Sequence, residues 1–177
     1  MSQRKSTAWS HQDEQAVDGT GVITVAVAAF SLFILYGGGH TYFVPVLDHA
    51  NLAFHEAGHV FFGIFGYTAG LYGGTLGQLV FPAAVVVSFL RRAAPVQAAL
   101  GMLWFFQNLL NIARYAADAR AQQLPLVGGG EHDWFNIFLR WNALGADTAF
   151  AATLSTIAWF GMLGTVAWLT RLWVKAR

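Results

Sequence analysis

The chain of 177 residues contains no cysteine and little charge. Without thiols it forms neither a disulfide framework nor a thiolate metal site, so any metal must be held by histidine, carboxylate or backbone oxygen. Charged residues make up 11% of the chain and hydrophobic residues 56%. A typical soluble domain carries about 25% charged residues, so this composition argues against a soluble globule and against disorder. Ten basic and nine acidic residues leave a net charge of +1. That balance provides no basic face, and no nucleic-acid partner is expected.

The few charges are also unevenly placed. No Asp, Glu, Lys or Arg occurs in residues 19–47, 57–90, 93–113 or 148–170, runs of 29, 34, 21 and 23 residues. A helix needs roughly 20 apolar residues to cross the hydrocarbon core of a bilayer. Each run can hold a crossing, and the longest can hold parts of two. Runs of this length do not alternate as barrel strands do. The expected fold is therefore an all-α integral membrane protein of about five transmembrane helices (four to six), with the bilayer as its solvent.

Residues 1–18 read as a polar tail and residues 19–177 as a single polytopic membrane domain. The apolar stretch Gly21–Tyr36 reads as a first span, not a cleaved leader, because no small-residue cleavage pattern follows it. Gly37, Gly38 and Gly39 break it, and Pro45 suits the first turn of a second span reaching Phe65. The glycine-rich segment 66–77 predicts a turn or re-entrant hairpin. A third span is expected over Leu76–Leu90 and a fourth from Pro95 to Gln122. Pro125 and Gly128–Gly130 mark a loop. A short interfacial helix over Trp134–Leu144 precedes the last span, Thr148–Leu172. Trp9, Trp134, Trp141 and Trp173 suit interface anchors. With five spans, the basic residues divide five against five between the two sides, so orientation stays open. The expected location is a multi-pass integral membrane protein, in a bacterial inner membrane or its equivalent.

One motif carries chemistry. His55-Glu56-Ala57-Gly58-His59 is H-E-x-x-H. On a helix the two histidines lie on one face and can bind a single Zn2+ ion, with Glu56 beside the metal as general base and then acid. Three ionisable groups within five residues of an apolar helix are functional candidates by default. A hydrogen-bonded polar patch between helices is the plain alternative.

Residues 54–59 resemble the active-site helix of the site-2 protease family of intramembrane zinc metalloproteases. That resemblance implies a third ligand, an aspartate from a later span within a pattern like N-x-x-P-x-x-x-L-D-G. Here Asn108-Leu109-Leu110-Asn111 is followed by Asp118. The proline is absent, Asp118 follows Asn108 by ten residues instead of eight, and Ala119 replaces the glycine. The resemblance implies a membrane-embedded zinc metallopeptidase that hydrolyses peptide bonds in or near transmembrane segments of a membrane-protein substrate. The alternative is a non-catalytic, metal-binding or metal-free membrane subunit of a larger complex.

Asp118 is the first choice for the third ligand, with catalytic Glu56 and ligands His55 and His59. Asn108, Asn111, Tyr115 and Asp118 share one helix face, as a polar stripe toward a partner or a cavity would. Asp118 can equally pair with Arg114 or Arg120. It also lies roughly 15 Å along the helix from Asn108. His132 is the alternative third ligand, carried by a glycine-rich loop. Asp133 would orient a ligand imidazole or cap the helix that follows it. Asp48 lies on the face of His55 and His59 and would hold a histidine's second nitrogen, or serve as an acid in the first turn after Pro45. Asn108 and Asn111 are candidates for substrate or oxyanion binding. His40 and His49 read as interfacial.

Overall fold

The computed structural model describes residues 17–37, 43–127 and 130–177. Most of the expected polar tail with Trp9, and also His40, Gly38–Gly39 and Gly128–Gly129, lie outside the described residues. Six α-helices account for most of the described chain: α1 (Gly19–Gly37), α2 (Pro45–Gly63), α3 (Tyr67–Arg91), α4 (Pro95–Ala117), α5 (Asp133–Arg140) and α6 (Asp147–Lys175). A 3-10 turn, Leu144–Ala146, leads into α6. No strand occurs among the described residues.

Among the described residues, three helical segments are long and apolar enough to cross a membrane: Gly19–Tyr36, Tyr67–Arg91 and Leu144–Lys175. Helices α2 and α4 carry the polar side chains instead. Pro45 and Pro95 open them at the first helical positions, where the missing N–H removes no helical hydrogen bond.

The glycine-rich stretch is not the turn its composition predicts. Gly70, Gly73, Gly74 and Gly77 all lie inside α3, which begins at Tyr67 and not near Leu76. The chain turns earlier, at Gly66, whose φ of 106° is left-handed. The reason is tertiary. A Cβ on Gly58, Gly73 or Gly77 would strike the main chain of the facing helix, so α2 and α3 pack backbone to backbone along this glycine seam.

Helix α4 ends at Ala117, not near Gln122. The Asp118 carboxylate accepts from the backbone N–H of Gln123 (2.9 Å) and of Leu124 (3.0 Å), which folds the chain into a turn. Helix α5 is shorter than expected. Its apolar side faces protein: Trp134, Ile137 and Phe138 are buried against Leu71, Ile112 and Ala116. Trp134 is thus a core residue, not an interface anchor. A second apolar core joins α1, α4 and α6 through Val25, Leu32, Leu103, Ala158, Met162 and Leu169. Polar residues of α2 and α4 bond to one another, Asn51 to Gln107 (2.8 Å) and Asn111 to Asp48 (3.0 Å).

Candidate metal centre

His55 and His59 sit one turn apart on α2, as their spacing requires. Their Nε2 atoms are 3.1 Å from each other. The Asp133 carboxylate comes from α5 and places Oδ2 2.8 Å from His55 Nε2 and 3.1 Å from His59 Nε2. Three potential ligand atoms thus converge on one point. A zinc ion with tetrahedral ligands at its usual bond lengths holds those ligand atoms about 3.3 Å apart. The observed triangle is close to that size.

The opposite edges of both rings are also fixed. His55 Nδ1 lies 2.9 Å from Gln78 Oε1, and His59 Nδ1 lies 2.8 Å from the Gly70 carbonyl. Both partners only accept, so each Nδ1 carries a hydrogen and, in the neutral rings, both Nε2 lone pairs are bare. Two bare nitrogens and a carboxylate oxygen in mutual contact repel one another unless positive charge sits among them. A divalent cation would supply that charge, as would a proton between Nε2 and the Asp133 carboxylate, and outer partners of this type are what ligand histidines normally have.

The space beside the rings is kept open by Gly74. A Cβ there would lie 2.6 Å from His55 Nε2 and from His59 Nε2. The donor set, the triangle and this gap together fit a zinc-sized cation.

Asp133 is the first residue of α5. Its backbone N–H donates to Tyr115 Oη (3.0 Å). His132 caps the helix, its Nδ1 accepting from the Phe135 N–H at 3.2 Å, and its ring packs on Tyr115. Burial pushes the Asp133 carboxyl up, but where a proton sits on Nε2 the hydrogen bonds from His55 and His59 outweigh it and hold its pKa down to about 2. The group is thus an anion throughout the neutral range.

Asp118 does not reach this point. Its oxygens are committed to the turn after α4, and Oδ2 lies 3.4 Å from His132 Nε2. His132 faces Asp118, not the two other histidines. The expected third ligand therefore changes from Asp118, with His132 as its alternative, to Asp133. Asp118 stands one turn beyond Tyr115, but its carboxylate faces the turn after α4 and the His132 ring instead of the two α2 histidines. Asp133 arrives because α5 folds back against α3 and α4. Asp48 does not touch a histidine either. It is 2% exposed and accepts from the backbone N–H of Val44 (2.6 Å), so it does serve the first turn of α2. His49 is exposed on α2 and stands apart from the cluster.

Glu56 lines a cavity of about 760 Å³ that also reaches His55, His59, Tyr115 and Asp133. Among the described residues its carboxylate has no hydrogen-bond partner. Asn108 is fully buried and Asn111 lines the cavity, and both accept from Gln78 Nε2, Asn111 Oδ1 at 2.8 Å and Asn108 Oδ1 more weakly at 3.3 Å. Gln78, Gly70 and Gly74 were not legible as site residues, whereas Tyr115 stood on the polar stripe with Asn108 and Asn111. The available signal for Gln78 was a lone amide within 34 uncharged residues. For Asp133 it was an acid at the first position of a helix after a glycine-rich loop. No protein-family model, curated protein or solved structure matches this chain.

Proposed function

We propose that the protein is a membrane-embedded zinc metallopeptidase acting on peptide bonds in or near transmembrane segments of a membrane-protein substrate. In this reading α1, α2, α3, α4 and α6 cross the bilayer, making a five-span, multi-pass membrane protein. The observation that carries it is the convergence of His55 Nε2, His59 Nε2 and Asp133 Oδ2 beside an H-E-x-x-H glutamate. The motif's resemblance to site-2 proteases points the same way, with Asp133 in place of the aspartate that Asp118 was expected to supply.

Zinc bound there would act as a Lewis acid and lower the pKa of a coordinated water to about 7. His55, His59 and Asp133 are three protein ligands, so one tetrahedral position stays open, as in catalytic and not structural sites. Glu56 lines the cavity without a partner, placed to take a proton from the attacking water and return it to the leaving amine. Tyr115 Oη accepts from the Asp133 N–H, which leaves its own hydrogen available to a substrate carbonyl. Peptide hydrolysis then consumes one water and yields a carboxylate and an amine.

The test is Glu56→Gln in purified protein, with zinc content and cleavage of membrane-protein substrates measured together. The peptidase reading predicts unchanged zinc and cleavage lowered by about 10²–10⁴-fold. Metal retained with no cleavage by either protein would favour a non-catalytic metal-binding subunit of a membrane complex.

A further inference from the structure

The cavity beside the two α2 histidines is lined by an arginine as well as by acids. Arg114, on the last turn of α4, shares it with Asp48, Glu56, Glu131 and Asp133. The same arginine lines a second cavity, of about 440 Å³, between α4 and α6. Most of the neighbouring acids already have donors. Asp48 accepts from Tyr36 Oη (3.1 Å), Gln107 Nε2 (2.9 Å) and Asn111 Nδ2 (3.0 Å). Glu131 accepts from Tyr67 Oη (2.8 Å) and Asn136 Nδ2 (2.9 Å). Asp133 faces the two histidines. Asp118, which lines the second cavity with Arg114, accepts from two backbone N–H groups of the turn after α4. Arg114 takes part in none of these bonds. Among the described residues it forms no hydrogen bond and no ion pair, and its Nε is buried without a partner.

An arginine at the end of a helix ordinarily runs its charge out to water and complements the helix dipole. A buried Nε without a partner does not fit that pattern. A partly desolvated guanidinium gains most from a carboxylate, whose two oxygens match its fork of N–H donors. Of the acids lining the two cavities only Glu56 is left without a donor, and the proposed hydrolysis needs it for the attacking water. The anion that completes Arg114 must then come from outside the chain. Leu52, Leu71, Leu124 and Leu126 line the same cavity and suit apolar residues around such a group.

We propose that Arg114 binds a carboxylate of the substrate, so that the cavity selects an acidic group within an otherwise apolar peptide. This rests on the peptidase reading above. The carboxylate belongs either to an acidic side chain near the scissile bond or to the C-terminus of the peptide. Both present the same pair of oxygens to the guanidinium.

The probe is a set of apolar peptides in three forms. One has a single glutamate and an amidated C-terminus, one has glutamine in its place and a free C-terminal carboxylate, and one has neither acid. Binding is measured to full-length, zinc-loaded Glu56→Gln protein in lipid nanodiscs, where turnover does not intervene, alone and with Arg114→Gln or Arg114→Lys added. One acidic form is expected to bind about 10–100-fold tighter than the uncharged form, the size of a charge-assisted pair. Which form it is identifies the source of the carboxylate. Arg114→Gln should weaken that form alone and remove the preference. Arg114→Lys, with the charge but not the fork, should keep part of it. Arg114 holds no side chain in place, so its replacement leaves the hydrogen bonds of Asp48 and Gln78 intact. A preference that survives Arg114→Gln would overturn the proposal and mark a carboxylate held by the metal. Equal weakening of all three forms would overturn it too, as a merely structural role. So would equal binding, or no binding, of acidic and uncharged forms where Arg114 is present. Cleavage is read apart, with Glu56 in place. No cleavage of a peptide that binds with the acid preference would sink the peptidase reading and leave the carboxylate site standing.

Discussion

Over its 29 residues α6 carries charge only near its ends, at Asp147, Arg171 and Lys175, whereas the 19 residues of α2 include Asp48, His49, Asn51, His55, Glu56 and His59. Apart from Asp147 at its start and Thr165, helix α6 buries small and apolar groups, Ala151, Ala158, Met162 and Leu169, and exposes Phe160 and Leu163. Its packing is non-directional, so many side chains could serve. Helix α2 turns Asp48, Asn51 and His55 inward, where each polar atom needs a partner of the right sign at the right angle. Apolar helices thus need only volume and length, while a polar helix needs its neighbours' amides, carbonyls and carboxylates specified in detail.

That contrast can be broken first at the glycine seam. Gly74→Ala adds one methyl group to α3, a favourable change in an ordinary helix, yet it would fill the gap beside both ligand rings. It should abolish tight zinc binding while α3 stays helical by circular dichroism. Tight binding retained would mean that the rings leave more room than the contacts indicate. The smallest effect belongs to α6. Phe160 is 70% exposed. Phe160→Ala should shift stability by no more than about 0.5 kcal/mol and leave zinc binding unchanged. A large loss, seen as a lowered midpoint in detergent unfolding, would show that this face is covered by something other than lipid.

The same division explains how much of the molecule could be read in advance. The uncharged runs gave α1 and α6 close to their observed limits, because length and hydropathy are properties of a segment alone. Pro45 and Pro95 marked the starts of α2 and α4 for a local reason, their missing N–H. The H-E-x-x-H spacing put His55 and His59 on one face because helix geometry guarantees it. The remaining features depend on contacts distant in sequence. Gly70–Gly77 look like a turn until the facing backbone of α2 is known, after which they are a contact surface. Asp118 looks like a ligand from its stripe with Asn108 and Asn111, but its carboxylate closes the turn after α4. Asp133 looks like a helix-terminal acid, and it is one. It also reaches His55 and His59 because α5 returns over α3 and α4. The direction of the amides of Gln78 and Asn111 cannot be read from residue types at all, since either could point either way until Asp48, a carboxylate that accepts from Asn111 Nδ2, pins one end.

The most direct test of the metal centre is the zinc content of Asp133→Ala and Asp118→Ala, purified in parallel with the wild type. Convergence of His55, His59 and Asp133 predicts about one zinc per chain in wild type and in Asp118→Ala, since a catalytic site holds a single ion on three protein ligands. Asp133→Ala should lose it. Zinc kept by Asp133→Ala and lost from Asp118→Ala would contradict the assignment and return the third ligand to α4.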